Sequence, residues 1–113
     1  MWHLPSSVKI YLCKESTDMR KSFDALAVMV EHILCQNPLS GHLFIFRNKR
    51  GNMIKCLYWD KDGYAIWYKR LEKGMFSIPE TAEDHSVDHR HLAMMLEGLQ
   101  PHKTMLLRRF KLK

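Results

Sequence analysis

The chain has 113 residues, which fits one domain, and it carries a formal net charge of +6, which favours a polyanionic partner. It contains no apolar run of the roughly 18 residues that a membrane span requires, and its first residues lack the long apolar segment of a secretory signal. These features argue against a membrane or secreted protein, and we expect a soluble, cytoplasmic protein with no membrane partner.

The N-terminal third predicts a strand followed by a long helix. Residues 8–12 alternate polar and apolar side chains, as a strand does. Thr17 and Asp18 are typical of a helix start, with a capping hydroxyl and an acid in the first turn. Apolar residues spaced by three and four then line one helical face as far as about Cys35: Met19, Phe23, Leu26, Val30 and Ile33.

The middle of the chain predicts an antiparallel meander. Strands are expected at residues 43–47, 53–59 and 64–71, with polar turns between them. Asp62-Gly63 is a strong hairpin signal, because glycine supplies the positive φ that a tight turn needs. Gly74 ends the third strand, and residues 75–78 are expected to form a short edge strand.

The turn lengths determine which side chains share a face of the predicted sheet. One face is apolar, and we expect the long helix to cover it: Leu43, Ile45, Ile54, Cys56, Tyr58, Ala65 and Trp67. The other mixes aromatic and basic side chains: Phe44, Phe46, Lys55, Leu57, Trp59, Tyr64, Ile66, Tyr68 and Arg70. This second face either stacks the bases of a single-stranded nucleic acid or forms a second core layer under the C-terminal helix. We favour the second core layer, because a monomer rarely exposes so many large apolar groups.

The C-terminal third predicts an acidic loop, a short helix and a basic tail. Asp88 is the expected N-cap of the helix, whose apolar stripe is Leu92, Met95, Leu96 and Leu99. The expected fold is a single α+β domain over residues 1–100, with one long N-terminal helix, one short C-terminal helix and a mainly antiparallel sheet of four to five strands, in the order β-α-β-β-β-(β)-α. Residues 101–113 contain five cations and no acid, and we expect them to form a flexible tail.

Basic residues at the predicted turns and strand ends are the candidate nucleic-acid contacts. They are Arg47, Lys49, Arg50, Lys55, Lys69, Arg70 and Lys73, together with Arg108 and Arg109 of the tail. The turn at residues 47–51 is the best single candidate, because it presents three cations on a short loop whose glycine lets the backbone approach a phosphate. For any one of these cations, solubility explains the charge equally well.

Three segments resemble a known family. They are TDMRKSFDALA (residues 17–27), PLSGHLFIFRNKRGNMIKCLYWDKDGYAIWYKRLEKGMFSIP (38–79) and LAMMLEG (92–98). Together they resemble the TnpB accessory proteins, the second-open-reading-frame products of the insertion sequence 66 family of bacterial transposable elements. The resemblance implies an accessory, non-catalytic role in DNA transposition, with DNA and a larger transposase subunit as partners. Lys61 departs from the family pattern, which usually has a small residue between the two turn acids.

Other classes of function stay open beside this one. A small basic RNA-cleaving enzyme is one alternative, with Tyr68, Lys69, Arg70 and His42 as proton carriers and cations. A pure interaction module for the transposase is another, and a homodimer is a further option. We expect no cofactor and no metal site, since Asp60 and Asp62 are more typical of residues that cap a tight turn.

Overall fold

The fold is a five-stranded sheet with a helix on each face. The structure, a computed structural model, describes residues 4–96. Within that range the elements are β1 (Ile10–Leu12), α1 (Phe23–His32), β2 (Leu43–Arg47), β3 (Met53–Asp60), β4 (Gly63–Arg70), β5 (Ser86–Val87) and α2 (His89–Leu96). The α+β class and the three consecutive strands are confirmed. No helix in this range has the length and apolar character to cross a membrane. Leu99, Arg108, Arg109 and the predicted tail lie outside the described residues.

The sheet is mixed, so the prediction of a mainly antiparallel sheet is wrong. Its order is β4-β3-β2-β1-β5. β2, β3 and β4 form the expected antiparallel meander, but β1 runs parallel to β2, with Ile10 opposite Leu43. The predicted edge strand at residues 75–78 is absent from the described sheet. The fifth strand, β5, comes instead from the predicted acidic loop and pairs with β1.

Helix α1 has only ten residues, so the prediction of a long N-terminal helix is also wrong. The Thr17 N–H donates to the carbonyl of Arg47 at 2.9 Å, which holds the chain extended beside β2. The Asp18 carboxylate then accepts the Arg20 N–H at 2.9 Å in a local turn. These contacts displace the predicted cap, and the helix begins only after Ser22.

The end of α1 is set by a residue in the left-handed region. Cys35 has a φ of 55°, and the Gln36 N–H reaches back to the carbonyl of Val30 at 3.1 Å. This bond spans six residues, one more than the long bond of a Schellman motif, and it closes the helix end around a left-handed residue of the kind that is usually glycine. Pro38 therefore follows a helix that has already ended.

Both faces of the sheet are covered, but the two helices are exchanged relative to the prediction. The side chains share faces as expected, and Trp59 lies opposite Tyr64, one of the two partners (Tyr64 or Ile66) that the turn length allows. Helix α1 packs on the face of Phe44, Phe46 and Leu57, here called the α1 face. Helix α2 packs on the opposite face, here called the α2 face, whose buried strand residues include Leu43, Ile45, Ile54 and Cys56. The second core layer therefore exists, under α1 and not under the C-terminal helix.

The parallel pairing of β1 with β2 explains the exchange. A β-strand, helix and parallel β-strand form a right-handed crossover in nearly all proteins, which places α1 on one particular face. As a consequence Phe23, expected to pack on Ile45, Cys56 and Trp67, is 43% exposed at the first turn of α1. Asp88 behaves as predicted, since its carboxylate accepts the Arg90 N–H at 2.6 Å at the start of α2.

Candidate nucleic-acid interface

The turn between β2 and β3 is organised by one asparagine side chain. The Asn48 Oδ1 atom accepts the backbone N–H groups of Gly51 at 2.9 Å and Met53 at 3.0 Å. Its Nδ2 atom donates to the side-chain oxygen of Asn52 at 2.9 Å. Gly51 has a φ of 83°, which an L side chain rarely adopts. The turn is therefore a fixed loop, with Lys49 and Arg50 exposed at its tip.

The chain after β4 returns against this turn and brings a second set of cations. The Leu71 N–H donates to the Asn52 carbonyl at 2.7 Å, and the Phe76 N–H donates to the Gly51 carbonyl at 2.8 Å. Phe76 is only 1% exposed, so it anchors the segment in the core. We call the resulting surface the basic end; its cations are Arg47, Lys49, Arg50, Lys69, Arg70 and Lys73.

The exposed members of the basic end are Lys49, Arg50, Arg70 and Lys73. Within residues 4–96, the side chains of Lys49 and Arg50 make no hydrogen bond and no ion pair. Arg70 pairs with Glu72, its Nε atom 2.9 Å from a carboxylate oxygen, so its charge is locally balanced. Lys49 and Arg50 are therefore the cations best placed to meet a phosphate.

Three predicted contacts have structural bonds instead. Lys55 is 8% exposed, and its Nζ atom donates to the Lys21 carbonyl at 2.8 Å. The Lys69 Nζ atom donates to the carbonyl of Leu96, the last residue of α2, at 2.8 Å. The Arg47 Nη1 atom donates to the Phe76 carbonyl at 3.0 Å, and burial lowers the pKa of its guanidinium. Arg47 and Lys69 support the surface, and Lys55 lies beneath it.

Sequence reasoning missed a third group of cations beside the basic end. Lys14, Arg20 and Lys21 are exposed on the segment that the Thr17–Arg47 bond holds beside β2. A shallow hollow separates this segment from the turn, lined by Ser16, Thr17, Asp18, Met19, Asn48, Lys49, Arg50 and Met53. Hydrogen bonds from Arg20 lower the pKa of Asp18 to about 2. After β1 the chain continues in an extended form beside β2. The sequence analysis missed this because it placed a helix start at Thr17 and Asp18.

The residues considered for RNA cleavage are not brought together. Tyr68 in β4 lies opposite Lys55 in β3, and Lys55 lies opposite Phe46 in β2. Tyr68 is therefore two strands away from β2 and level with Phe46, whereas His42 precedes the other end of β2. The backbones of His42 and Tyr68 are therefore roughly 16 Å apart by strand geometry. The His42 Nδ1 atom accepts the Lys9 N–H at 3.0 Å, and the Tyr68 hydroxyl lies 3.1 Å from the Met53 sulfur. Within residues 4–96, no group of three or more His, Cys, Asp or Glu side chains is arranged to hold a metal ion.

Comparison with known proteins gives a single family. The family model described as "IS66 Orf2 like protein" matches residues 8–105. Two relatives are uncharacterized proteins of Sinorhizobium fredii (strain NBRC 101917 / NGR234). The relative y4hO is 36% identical over 100 residues, covering 85% of this chain and 86% of its own. The relative y4jC is 33% identical over 72 residues, covering 64% of this chain and 62% of its own. No solved structure shows significant similarity.

Proposed function

Because the chain belongs to the IS66 Orf2-like family, whose members are accessory proteins of transposition, we propose that it acts by binding DNA through the basic end. On this proposal the protein is non-catalytic and holds DNA for a separate, larger transposase subunit. The observation that supports this most directly is the pair Lys49 and Arg50, exposed on a fixed turn and unpaired within residues 4–96.

The charge around the turn favours a polyanion over a neutral surface. Cations from three chain segments surround it, and they outnumber the nearby carboxylates Glu15, Asp18 and Glu72. Two of those carboxylates are already engaged, Asp18 with Arg20 and Glu72 with Arg70. Clustered positive charge of this kind attracts phosphates over a Debye length of about 8–10 Å at physiological salt.

The fixed turn also favours phosphate over base recognition. Gly51 itself is buried, and its carbonyl already accepts the Phe76 N–H, so the expected approach of its backbone to a phosphate does not hold. The exposed side chains of Lys49 and Arg50 suit sugar-phosphate contacts, which position a protein on DNA without identifying sequence. On the α1 face Phe44 and Phe46 are buried and cannot stack bases, whereas the Tyr68 ring is 51% exposed. We therefore propose contacts to duplex backbone, with any sequence preference supplied by the transposase.

The test is a salt series with a matched charge control. The variant Lys49→Ala/Arg50→Ala should lower the slope of log affinity against log salt by about two on duplex DNA, since each phosphate contact contributes about 0.9. The control variant Lys9→Ala/Lys61→Asn removes the same charge from the opposite end of the sheet, where both lysines are exposed. Its slope should stay close to that of the unmodified protein.

Two outcomes would contradict the proposal. Equal losses in the two variants would mean that net charge, and not the basic end, determines binding. Unchanged DNA binding by Lys49→Ala/Arg50→Ala, together with lost capture of the purified transposase, would make the basic end a protein-docking surface. Each binding series should include element-end DNA and unrelated DNA of equal length.

A further inference from the structure

Strand β4 is a long edge of the sheet. It lies at one end of the strand order and pairs with β3 alone among the described strands. Its eight residues keep one register from Gly63 opposite Asp60 to Arg70 opposite Met53, so no bulge interrupts it. The other edge, β5, has only two residues. A long, regular edge is a template for another strand.

One bond shows which hydrogen-bonding groups of β4 find no strand partner within residues 4–96. The Leu71 N–H donates to the Asn52 carbonyl at 2.7 Å, so this pair is of the hydrogen-bonded kind. Such pairs alternate along an antiparallel ladder. The odd-numbered residues of β4 therefore bond to β3. The outward N–H and C=O groups belong to the even-numbered residues Tyr64, Ile66, Tyr68 and Arg70.

The usual protections of an edge strand are missing from most of β4. Residues 63–68 contain no charged side chain and no proline, and every one of them is at least partly exposed. Lys69 does not guard the edge, because its ammonium group is bonded to the Leu96 carbonyl. Tyr68 is 51% exposed. In a monomer this strand would be an aggregation site.

We propose that β4 pairs antiparallel with β4 of a second copy of the chain, around a two-fold axis at Ile66. The charges favour this partner, because Asp62 precedes the strand and Arg70 ends it, so antiparallel pairing places each acid opposite the other copy's cation. The outward groups then meet as hydrogen-bonded pairs, Ile66 with Ile66 and Tyr64 with Tyr68. An axis at Trp67 would instead place Asp62 opposite Glu72 and Lys61 opposite Lys73, which are like charges.

The proposed dimer joins two sheets into one continuous sheet of ten strands. A two-fold axis perpendicular to the sheet keeps α1 on the same face in both copies. The Arg70 guanidinium would exchange Glu72 for Asp62 of the second copy, which costs little because both members of the present pair are largely exposed. Lys49 and Arg50 lie two strands from the new contact, so dimerisation does not depend on their role.

A proline substitution at one outward amide tests the pairing. In sedimentation equilibrium the unmodified full chain should have twice the 13.5 kDa mass of one chain. Tyr68→Pro removes an outward N–H and leaves the β3–β4 ladder intact, as edge prolines do. It should weaken dimerisation roughly 30-fold, because the symmetric contact loses two hydrogen bonds. The matched variant Tyr68→Ala loses the same ring but keeps the N–H, and it should weaken dimerisation much less.

Charge exchange tests the register. Asp62→Lys and Arg70→Glu should each weaken the dimer, and the variant that combines them should restore it. Amide hydrogen exchange in the unmodified protein should show protection of Tyr64, Ile66, Tyr68 and Arg70 that rises with protein concentration. A monomer at about 100 μM, or a dimer that Tyr68→Pro does not weaken, would overturn the proposal. A combined variant that stays monomeric would overturn the Ile66 axis.

Discussion

The Nζ atom of Lys55 in β3 lies 2.8 Å from the carbonyl oxygen of Lys21, just before α1. Lys55 is 8% exposed, and its ammonium group also lies 4.8 Å from the centre of the Tyr68 ring. A buried ammonium needs such partners, because its desolvation is costly. The contact holds the loop before α1 against the sheet. Lys55 therefore has a structural role, although the sequence suggests it as a DNA contact.

Lys55→Ala should therefore destabilise the protein without changing its DNA binding. The variant loses the packing of the lysine stem and leaves the Lys21 carbonyl without its donor, for about 1–3 kcal/mol. Urea denaturation measures the loss, and the salt slope on duplex DNA should be unchanged. Lys49→Ala is the matched comparison, with the opposite pattern of normal stability and a reduced slope. If folded Lys55→Ala has a lower salt slope on duplex DNA, Lys55 contacts DNA and the structural interpretation is wrong.

Two phenylalanines should respond very differently to truncation. Phe76 is 1% exposed and packs in the α2-face core, so Phe76→Ala should cost about 3–5 kcal/mol. Phe23 is 43% exposed, so Phe23→Ala should cost about 1 kcal/mol or less, whereas the helix predicted from the sequence would make it the costlier change. Thermal unfolding of both variants decides between the two packings. Equal losses would contradict the observed placement of α1.

The strand faces were predictable because their pattern is local. Successive side chains of a strand, such as those from Leu43 to Arg47, point to opposite faces of the sheet. An even number of turn residues then determines the face of each side chain in the next strand. These two facts allow Trp59 to lie opposite Tyr64 or Ile66, and the structure selects Tyr64. The choice of helix for each face is not local, since it depends on the parallel pairing of Ile10 with Leu43, more than thirty residues apart. Residues 10–12 are buried on both sides, so they carry no signal of which neighbour they meet.

The candidate site shows the same division. Lys49 and Arg50 were predictable as exposed turn residues, because polar turn chemistry around Asn48 and Gly51 is visible in the sequence. The engagement of Arg47 with the Phe76 carbonyl and of Lys69 with the Leu96 carbonyl was not, because each bond joins residues nearly thirty positions apart. A basic side chain near a strand end has the same sequence signature whether it is solvated or bonded.

The turn between β3 and β4 differs from the hairpin turn that Asp62-Gly63 predicts, and this difference can be tested by mutation. Lys61, not Gly63, has the positive φ, at 58°, and Gly63 is the first residue of β4. Lys61→Gly should raise stability by about 0.5–1 kcal/mol, because it relieves a conformation that L side chains disfavour. A Cβ on Gly63 would meet nothing within 4 Å, so Gly63→Ala should be neutral or slightly stabilising. A costly Gly63→Ala with a neutral Lys61→Gly would support the turn that Asp62-Gly63 predicts.

Arg20 and Asp18 provide a test of the electrostatics beside the basic end. Hydrogen bonds from the Arg20 guanidinium, at 2.6 Å for the shortest, are the main cause that lowers the pKa of Asp18 to about 2. A carboxyl whose pKa is lowered by folding adds stability above its unfolded pKa and loses that contribution as the pH falls towards its folded pKa. The contribution should therefore fade below about pH 4, where the unfolded carboxyl begins to bind a proton.

Arg20→Ala should raise the pKa of Asp18 towards its ordinary value. The side-chain chemical shifts of Asp18, followed by NMR between pH 1.5 and 6, give the midpoint in both proteins. Arg90→Ala is the control, because Arg90 pairs with Asp88 at 3.8 Å at the start of α2 and has no contact with Asp18. If the Asp18 pKa is the same with and without Arg20, the guanidinium is not the cause of the lowered pKa. The backbone turn alone would then organise the segment before α1.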